Sequence, residues 1–562
     1  MHRALVIDEL LPGQSLLPAR RAGVCSAAMD FRMAMHRAAR ASSWWLLACT
    51  AALLAACGGG GGGGGTGAAP IEPVPPPVAT LVEGPPWWGF GRDAQHTAVS
   101  GIASQDLNRV AWSTPVDQQP QYQASGSLLI HYGTPVITAR NTVIVPVKTG
   151  ATDGFLLEGR SGATGASVWS QGTDYRLPAA NWIPSYGPVL TPGGRLYFPG
   201  AGGTVWVRDQ PDAATGALQR IAFYGDATYA ANATALNGSV FINTPITSDA
   251  QGNVYFGFLV TGTSNAAGLV GGIARIGADG SGRWVAAATA AGDATIAKAA
   301  MNVAPALSPD GRTLYAAVNT STGNPITGYL VALDAATLTP RSRVQLRDPV
   351  TNALSRVSDN GTSSPAVGPD GRIYFGVLES SFPQHNARGW LLQFDANLVP
   401  VGAPGSFGWD VTPSIIPSSM VASYTGKAGY LLAVKYNNYA GVGTGDGQNR
   451  LAVLDPFAAQ ADSFSTAQVM KEVLTIAGPT PVPGGVGVYE WCLNTMAADP
   501  ATKSVLVNSE DGLLYRWDLG ANKLTQSIRL TAGLGQAYTP TLIGADGAVY
   551  AISNARLFAV TR

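Results

Sequence analysis

Eight returns of one short opening motif, strands of alternating hydrophobicity joined by Asp-Gly and Gly-Gly turns, and a composition of 69 Gly and 38 Pro with only 12% charged residues predict an all-β chain. The architecture they imply is an eight-bladed β-propeller of four-stranded antiparallel blades. Seven blades is the alternative, if Pro413 to Met496 holds only one irregular sheet.

The openings are Gly-Thr-Pro135-Val-Ile, Gly-Pro188-Val-Leu, Thr-Pro245-Ile, Ala-Pro305-Ala-Leu, Ser-Pro365-Ala-Val, Thr-Pro413-Ser-Ile, Asn494-Thr495-Met496 and Thr-Pro540-Thr-Leu. Their spacing of about 43 to 81 residues suits one four-stranded sheet plus loops. Each opening leads to hairpin chemistry, as in Asp310-Gly311, Asp370-Gly371, Asp546-Gly547 and Gly193-Gly194, where glycine supplies the positive φ of a tight turn. A Tyr-centred strand follows: Leu196-Tyr197-Phe198, Val254-Tyr255-Phe256, Leu314-Tyr315-Ala316, Ile373-Tyr374-Phe375 and Val549-Tyr550-Ala551. This period-two pattern excludes an α-solenoid. The last repeat, from Pro540, has room for three strands, and Asn108 to Val116 reads as a lone outer strand ahead of the first repeat. Pairing the two completes one blade and removes a free edge.

Ahead of the repeats, residues 1–56 read as a signal peptide preceded by an N-terminal extension. His36, Arg37 and Arg40 precede the apolar run Trp44 to Leu54, too short to span a bilayer. The extension has no role in such a signal, and Met29, Met33 or Met35 offers a better start. The ending Leu54-Ala55-Ala56-Cys57 resembles a bacterial lipobox, which implies acylation of Cys57. Residues 57–86 form a tether, uninterrupted glycine from Gly58 to Gly65 and then Pro70, Pro73, Pro75, Pro76 and Pro77, flexible first and extended after. Gly58, where lipoprotein sorting would place an aspartate for inner-membrane retention, favours the outer membrane. The propeller domain is 87–562, with a leader or cap at 87–105 and the blades at 106–562.

Without residues 1–56 the chain carries 29 basic and 32 acidic residues, a balance that argues against nucleic acid. Acylation of Cys57 would leave Cys492 as a lone thiol to be protected by burial. His96, His131 and His385 are each isolated in sequence, so a histidine-rich metal site is not expected. No Cys-x-x-Cys-His haem signature occurs, and Gly441 to Gly447 reads as a loop without the lysine of a phosphate-binding loop.

Between the last two strands of several repeats lie fragments of one pattern, Ala-x-Asp-x-x-Thr-Gly-x-x-x-Trp: Thr164-Gly165-Ala-Ser-Val-Trp169, Asp279-Gly280-Ser-Gly-Arg-Trp284 and Asp334-Ala-Ala-Thr337. They resemble the tryptophan-docking motif of the quinoprotein-type, or PQQ-like repeat, propellers. The resemblance implies structural roles, with Trp112, Trp169 and Trp284 packing between neighbouring blades and Thr164, Gly165 and Asp334 shaping or capping turns. The stretch Trp88 to Ser100 looks like the leader of the same proteins. It is expected to cap the closing blade through local contacts of Arg92 and Asp93, or to line a pocket with its aromatics and His96.

The loops entering the innermost strands concentrate rings and amides: His131, Tyr132, Asn181, Trp182, Tyr186, Asn243, Met301, Asn302, Asp359, Asn360, Asp410, Tyr489, Trp491, Asn494 and Tyr538. This set is the candidate ligand face, suited to a protein, peptide or carbohydrate. The favoured function is a non-catalytic binding or scaffolding lipoprotein of the cell envelope with a monomeric body, no catalytic residues and no cofactor. The alternative is a pyrroloquinoline quinone (PQQ) and calcium dependent dehydrogenase, or a hydrolase, using Asp359, Asp410 or Glu490. The adjacent cysteines found in quinoprotein dehydrogenases are missing from this sequence.

Overall fold

The computed structural model describes residues 86–122, 128–129, 133–151, 154–176, 186–262, 265, 267–321, 326–359, 361, 363–532 and 540–562. The expected signal peptide and nearly all of the tether lie outside them. Among the described residues no helix is long and apolar enough to cross a membrane.

Among the described residues, eight antiparallel blade sheets follow one another along the chain, preceded by a two-stranded ladder of Gln121–Tyr122 and Leu128–Leu129, and each of the eight openings leads into its own innermost strand. Blade 1 comprises Val136–Ile137, Thr142–Lys148, Phe155–Ser161 and Ser167–Gly172. Blade 2 comprises Val189–Leu190, Leu196–Pro199, Val205–Arg208 and Leu218–Ile221. Blades 3 and 4 each carry an extra short strand, Val240–Ile242 and Lys298–Ala299, that shares its partner with the innermost one. Blade 5 has three strands, Ala366–Val367, Ile373–Val377 and Trp390–Phe394, and its outer edge is met only by isolated bridges from Pro400 and Gly405. Pro400 and Pro404 bracket that segment and withhold two ladder donors, which accounts for the broken strand.

Pro413 to Met496 does hold a single sheet, Ser414–Pro417, Tyr430–Tyr436, Arg450–Ala461 and Gln468–Ala477. The count is eight nonetheless, because the proline-free opening at Asn494 begins blade 7 with Ala497–Asp499. Blade 8 joins the two ends of the chain. Leu542–Ile543, Val549–Ser553 and Arg556–Thr561 are completed by Arg109–Pro115, paired antiparallel from Arg109↔Thr561 to Pro115↔Arg556.

The second-strand tyrosines of blades 4, 5, 6 and 8 are buried and serve the ring, whereas Tyr197 and Tyr255 bond within their own blades. Tyr315 donates to Ala396 O at 3.0 Å, the Tyr374 and Tyr430 hydroxyls meet at 2.7 Å, and Tyr550 donates to Gly162 O at 3.3 Å. In each case a hydroxyl that burial would otherwise strand finds its partner on the next blade. Among the described residues two α-helices interrupt the β pattern. The longer, Asp226–Asn237, lies between blades 2 and 3.

The leader is not confined to the closing blade. Its backbone carbonyls accept hydrogen bonds from innermost strands in ring order: Trp87 O from Ile137, Trp88 O from Leu190, Ala94 O from Leu307, Gln95 O from Val367, Thr97 O from Ile415 and Ala98 O from Ala498, at 2.7 to 2.9 Å. Blade 3 is passed over, and its Ile246 N–H bonds instead to Gly187 O of blade 2. The circuit closes at blade 8, where Gln105 N–H donates to Gly547 O at 2.8 Å. The turns this path needs explain the positive φ of Arg92 (81°), His96 (59°) and Ala98 (55°).

The lone thiol expected at Cys492 is corrected. Cys492 is fully buried and disulfide-bonded, and its partner lies outside the described residues.

Removal of residues 106–118 takes away the strand that closes blade 8. We expect a broadened melting transition at lower temperature by calorimetry, and an unchanged sharp transition would contradict closure by this strand.

Candidate functional site

The loops entering the innermost strands meet around the axis, and their described polar groups are largely used by neighbouring blades. Asn302 N–H donates to Asn243 O at 3.0 Å, and Asn243 Nδ2 donates to Ala299 O at 2.9 Å. Asn302 Nδ2 donates to Asp359 O at 3.1 Å and Met301 N–H to Asp359 Oδ1 at 3.3 Å. Ser364 Oγ accepts from Ala304 N–H, and Thr412 Oγ1 in turn accepts from Ser364 N–H, both at 2.9 Å. Thr412 N–H then donates to Asn494 O at 3.1 Å, continuing the belt into blade 7.

Of the candidate ligand face, Tyr186, Asn243, Met301, Asn302, Asp410, Trp491 and Asn494 are buried, whereas Asp359 and Tyr489 are partly exposed. Tyr186 stacks on Phe155 at 4.9 Å. His131, Tyr132, Asn181, Trp182, Asn360 and Tyr538 lie outside the described residues. The described members are therefore mostly ties between blades.

Charged groups that the sequence did not single out lie among them. Lys298 on blade 4 contacts Asp359 Oδ1 at 2.5 Å, and Asn319 Nδ2 donates to the same oxygen at 3.0 Å. Burial lowers the Lys298 ammonium's pKa, and the Asp359 carboxylate opposes that shift. Lys435, from the second strand of blade 6, is fully buried; desolvation lowers it, while Asp410, Glu490 and Glu510 pull it back up. Burial, and then the neighbouring Glu490, push the Glu510 carboxyl's pKa well above its ordinary value. Its Oε2 is buried without a hydrogen-bond partner. No sequence motif marks Lys435 and Glu510, because each sits within an ordinary apolar strand or turn and meets the other only through the ring.

At the leader, His96 is fully buried. Its Nδ1–H donates to Pro365 O at 2.7 Å, and Phe90 meets its ring edge-on at 5.1 Å. It lines no open pocket, because the ring lies under the leader's own turn: a Cβ on Gly91 would come within 2.8 Å of His96 Cβ. Arg92 and Asp93 do pair locally, at 2.9 Å.

The docking residues divide. Trp112 Nε1–H donates to Gly162 O at 2.7 Å, and its ring lies on Gly165, where a Cβ would approach to 2.6 Å and φ is 71°. Blade 8 is thereby seated on blade 1. Trp169 repeats the arrangement toward blade 2, donating to Pro211 O at 2.7 Å beneath the Arg208 guanidinium at 4.4 Å. Asp334 caps its turn by accepting from Ala336 N–H, Thr337 N–H and Thr337 Oγ1, and the hydrogen bond from Arg341 holds its carboxyl down to about 2. Thr164 accepts from Ala166 N–H at 3.3 Å. Trp284 differs: its half-buried ring meets Phe258 of its own blade edge-on at 6.0 Å and faces residues 222–226 of the preceding blade.

With that geometry in view, the chain is similar in structure to a quinohemoprotein alcohol dehydrogenase from Comamonas testosteroni, with TM-score 0.50, 12% identity, and 84% of this chain and 80% of that one covered. A europium-containing methanol dehydrogenase matches with TM-score 0.49 and 11% identity over 83% and 89% of the two chains. A quinohemoprotein alcohol dehydrogenase from Pseudomonas putida HK5 matches with TM-score 0.43 and 13% identity over 83% and 75%. No family model matches the chain, and no curated protein does. At such identity the likeness concerns the propeller fold.

The described axial residues do not fit PQQ with calcium. The quinone carries three carboxylates and needs cationic or metal-bridged contacts. Here the two described axial lysines are already engaged, Lys298 by Asp359 and Lys435 electrostatically by Asp410, Glu490 and Glu510. Among the described residues, no group of three His, Cys, Asp or Glu side chains could hold a metal ion.

Burial also makes His96 pH-sensitive, pushing its pKa from 6.5 down to about 4. Above pH 6.5 both folded and unfolded chains hold it neutral. As the pH falls toward 4 the unfolded chain takes up the proton first, and stability declines by about 3 kcal/mol from this group. Denaturant titrations between pH 7 and 4 should show that decline, with a flatter profile for His96→Asn, whose side chain tolerates the positive φ.

Proposed function

We propose that this chain is a non-catalytic binding or scaffolding lipoprotein of the bacterial cell envelope, anchored through Cys57 and offering its propeller as a rigid platform to an envelope protein, peptide or glycan. The observation that carries this reading is that, among the described residues, polar groups of the entering loops tie blade to blade and the leader binds the innermost strands. A catalytic funnel needs groups turned toward a substrate, and these are turned toward one another. Crosslinking in intact envelopes, followed by recovery of the protein, should yield one reproducible partner. Recovery of neither protein, peptide nor glycan would overturn the reading.

The likeness to quinoprotein dehydrogenases favours a second reading, enzymatic and quinone-dependent. Adding PQQ with calcium should leave the melting temperature and absorbance unchanged under the first reading. A raised melting temperature with a new quinone band would establish the second.

Anchoring has its own test. With residues 1–56 removed, Cys57 is the only cysteine left to pair with Cys492, and a thioether at Cys57 excludes that disulfide, so the anchored form and the Cys492 disulfide described above are alternative states of the mature chain. Intact mass of the envelope-extracted protein should show a lipid-bearing N-terminal cysteine, and a Cys57 to Cys492 disulfide would refute the anchor.

A further inference from the structure

The cavity of about 420 Å³ between blades 2 and 3 is lined by Ala222 to Asp226, which follow the outer strand of blade 2, and by Gly280, Gly282 and Trp284 on the outer hairpin of blade 3. It lies on the periphery, away from the axis. Its volume falls at the small end of ligand pockets, where one or two sugar rings fit.

Three features decide what could occupy it. Trp284 offers a half-buried ring, and its indole N–H is neither buried nor engaged by a protein acceptor. Asp226 is exposed; its Oδ1 accepts from Ala222 N–H at 2.7 Å, which holds the carboxylate in place and leaves Oδ2 available. Tyr224 is half-buried, with its hydroxyl spent on Gly202 O at 2.6 Å, so it contributes a fixed aromatic edge. Glycines keep the far wall low: Gly282 packs so tightly on the Phe223 backbone that a Cβ would lie 2.0 Å from Phe223 O.

Trp284 is spared the role that Trp112 and Trp169 perform, since their indole N–H groups are consumed by the next blade. A ring face beside one free donor and one fixed free acceptor matches the apolar C–H face and adjacent hydroxyls of a pyranose. A quaternary ammonium would use the ring and the carboxylate but leave the indole N–H without a purpose.

We propose that this groove is a binding site for a neutral pyranose sugar, with Trp284 as the stacking platform and Asp226 as the hydroxyl acceptor. The proposal deepens the binding reading above and rests on it. Saturation-transfer NMR on the full chain with glucose, galactose, N-acetylglucosamine and, as a contrast, choline provides the test. Saturation of at least one sugar is expected, weakened roughly tenfold in affinity by Trp284→Ala, as loss of one stacking ring implies. Trp284→Phe, which keeps a ring without the donor, and Asp226→Asn, which keeps the cap to Ala222, should each weaken binding with the melting temperature preserved. No saturation of any sugar, saturation of choline alone, or sugar binding untouched by all three variants would overturn the proposal. Each of these outcomes is independent of whether crosslinking recovers an envelope partner.

Discussion

Every blade of a propeller leaves the inner edge of its first strand unpaired, and in a ring those edges face one another across an axis too wide for them to pair. A buried N–H without a partner costs on the order of 1 to 3 kcal/mol. Here the leader answers most of that demand by laying its own carbonyls along six inner edges. The short innermost strands, the positive φ angles at Arg92, His96 and Ala98, and the tight approach of Gly91 to His96 follow from the path this segment must take. The blades supply the apolar interfaces, and the leader supplies what apolar contact cannot.

The loops entering the innermost strands meet a similar demand with side chains. Lys298 with Asp359, and Lys435 among Asp410, Glu490 and Glu510, put charge where water is scarce. Burying such groups is costly unless they are paired, and burial is also what raises the pKa of Glu510. Replacing them by apolar residues would often be tolerated in energy, so their presence points to register: Asp359 accepts from Lys298, Met301 and Asn319 of blade 4 and sets where that blade sits. The same frame that resembles dehydrogenases of known structure is thus filled with ties.

Much of the architecture was legible because it is local. Asp310-Gly311, Asp370-Gly371 and Asp546-Gly547 specify their turns with no help from the rest of the chain, and each leads into the strand expected. Blade closure was legible because one strand was missing at one end and spare at the other. The route of the leader was not, since its bonds come from backbone carbonyls, which leave no mark on residue identity. The acidic group around Lys435 was only partly legible, because the lysine and Glu510 come from different blades and meet only when the ring forms. The groove at Trp284 was hidden by analogy: its residue type matches Trp112 and Trp169, and only the partners of the indole nitrogen tell them apart. The helix Asp226–Asn237 had a signal, the alanines at 227, 230, 231, 233 and 235, that strand periodicity elsewhere obscured.

Most of the leader's carbonyls must wait for strands that lie hundreds of residues downstream, and Arg109–Pro115 must wait for the final strand, Arg556–Thr561. A chain threaded N-terminus first through a narrow pore would therefore emerge with its earliest segment unsatisfied and its blades unfastened until the last turn clears. Such a protein cannot fold piecemeal during passage. Were it exported, such a topology would keep it pliable in transit and lock it only once the whole chain had emerged, making completeness of the chain a condition of rigidity.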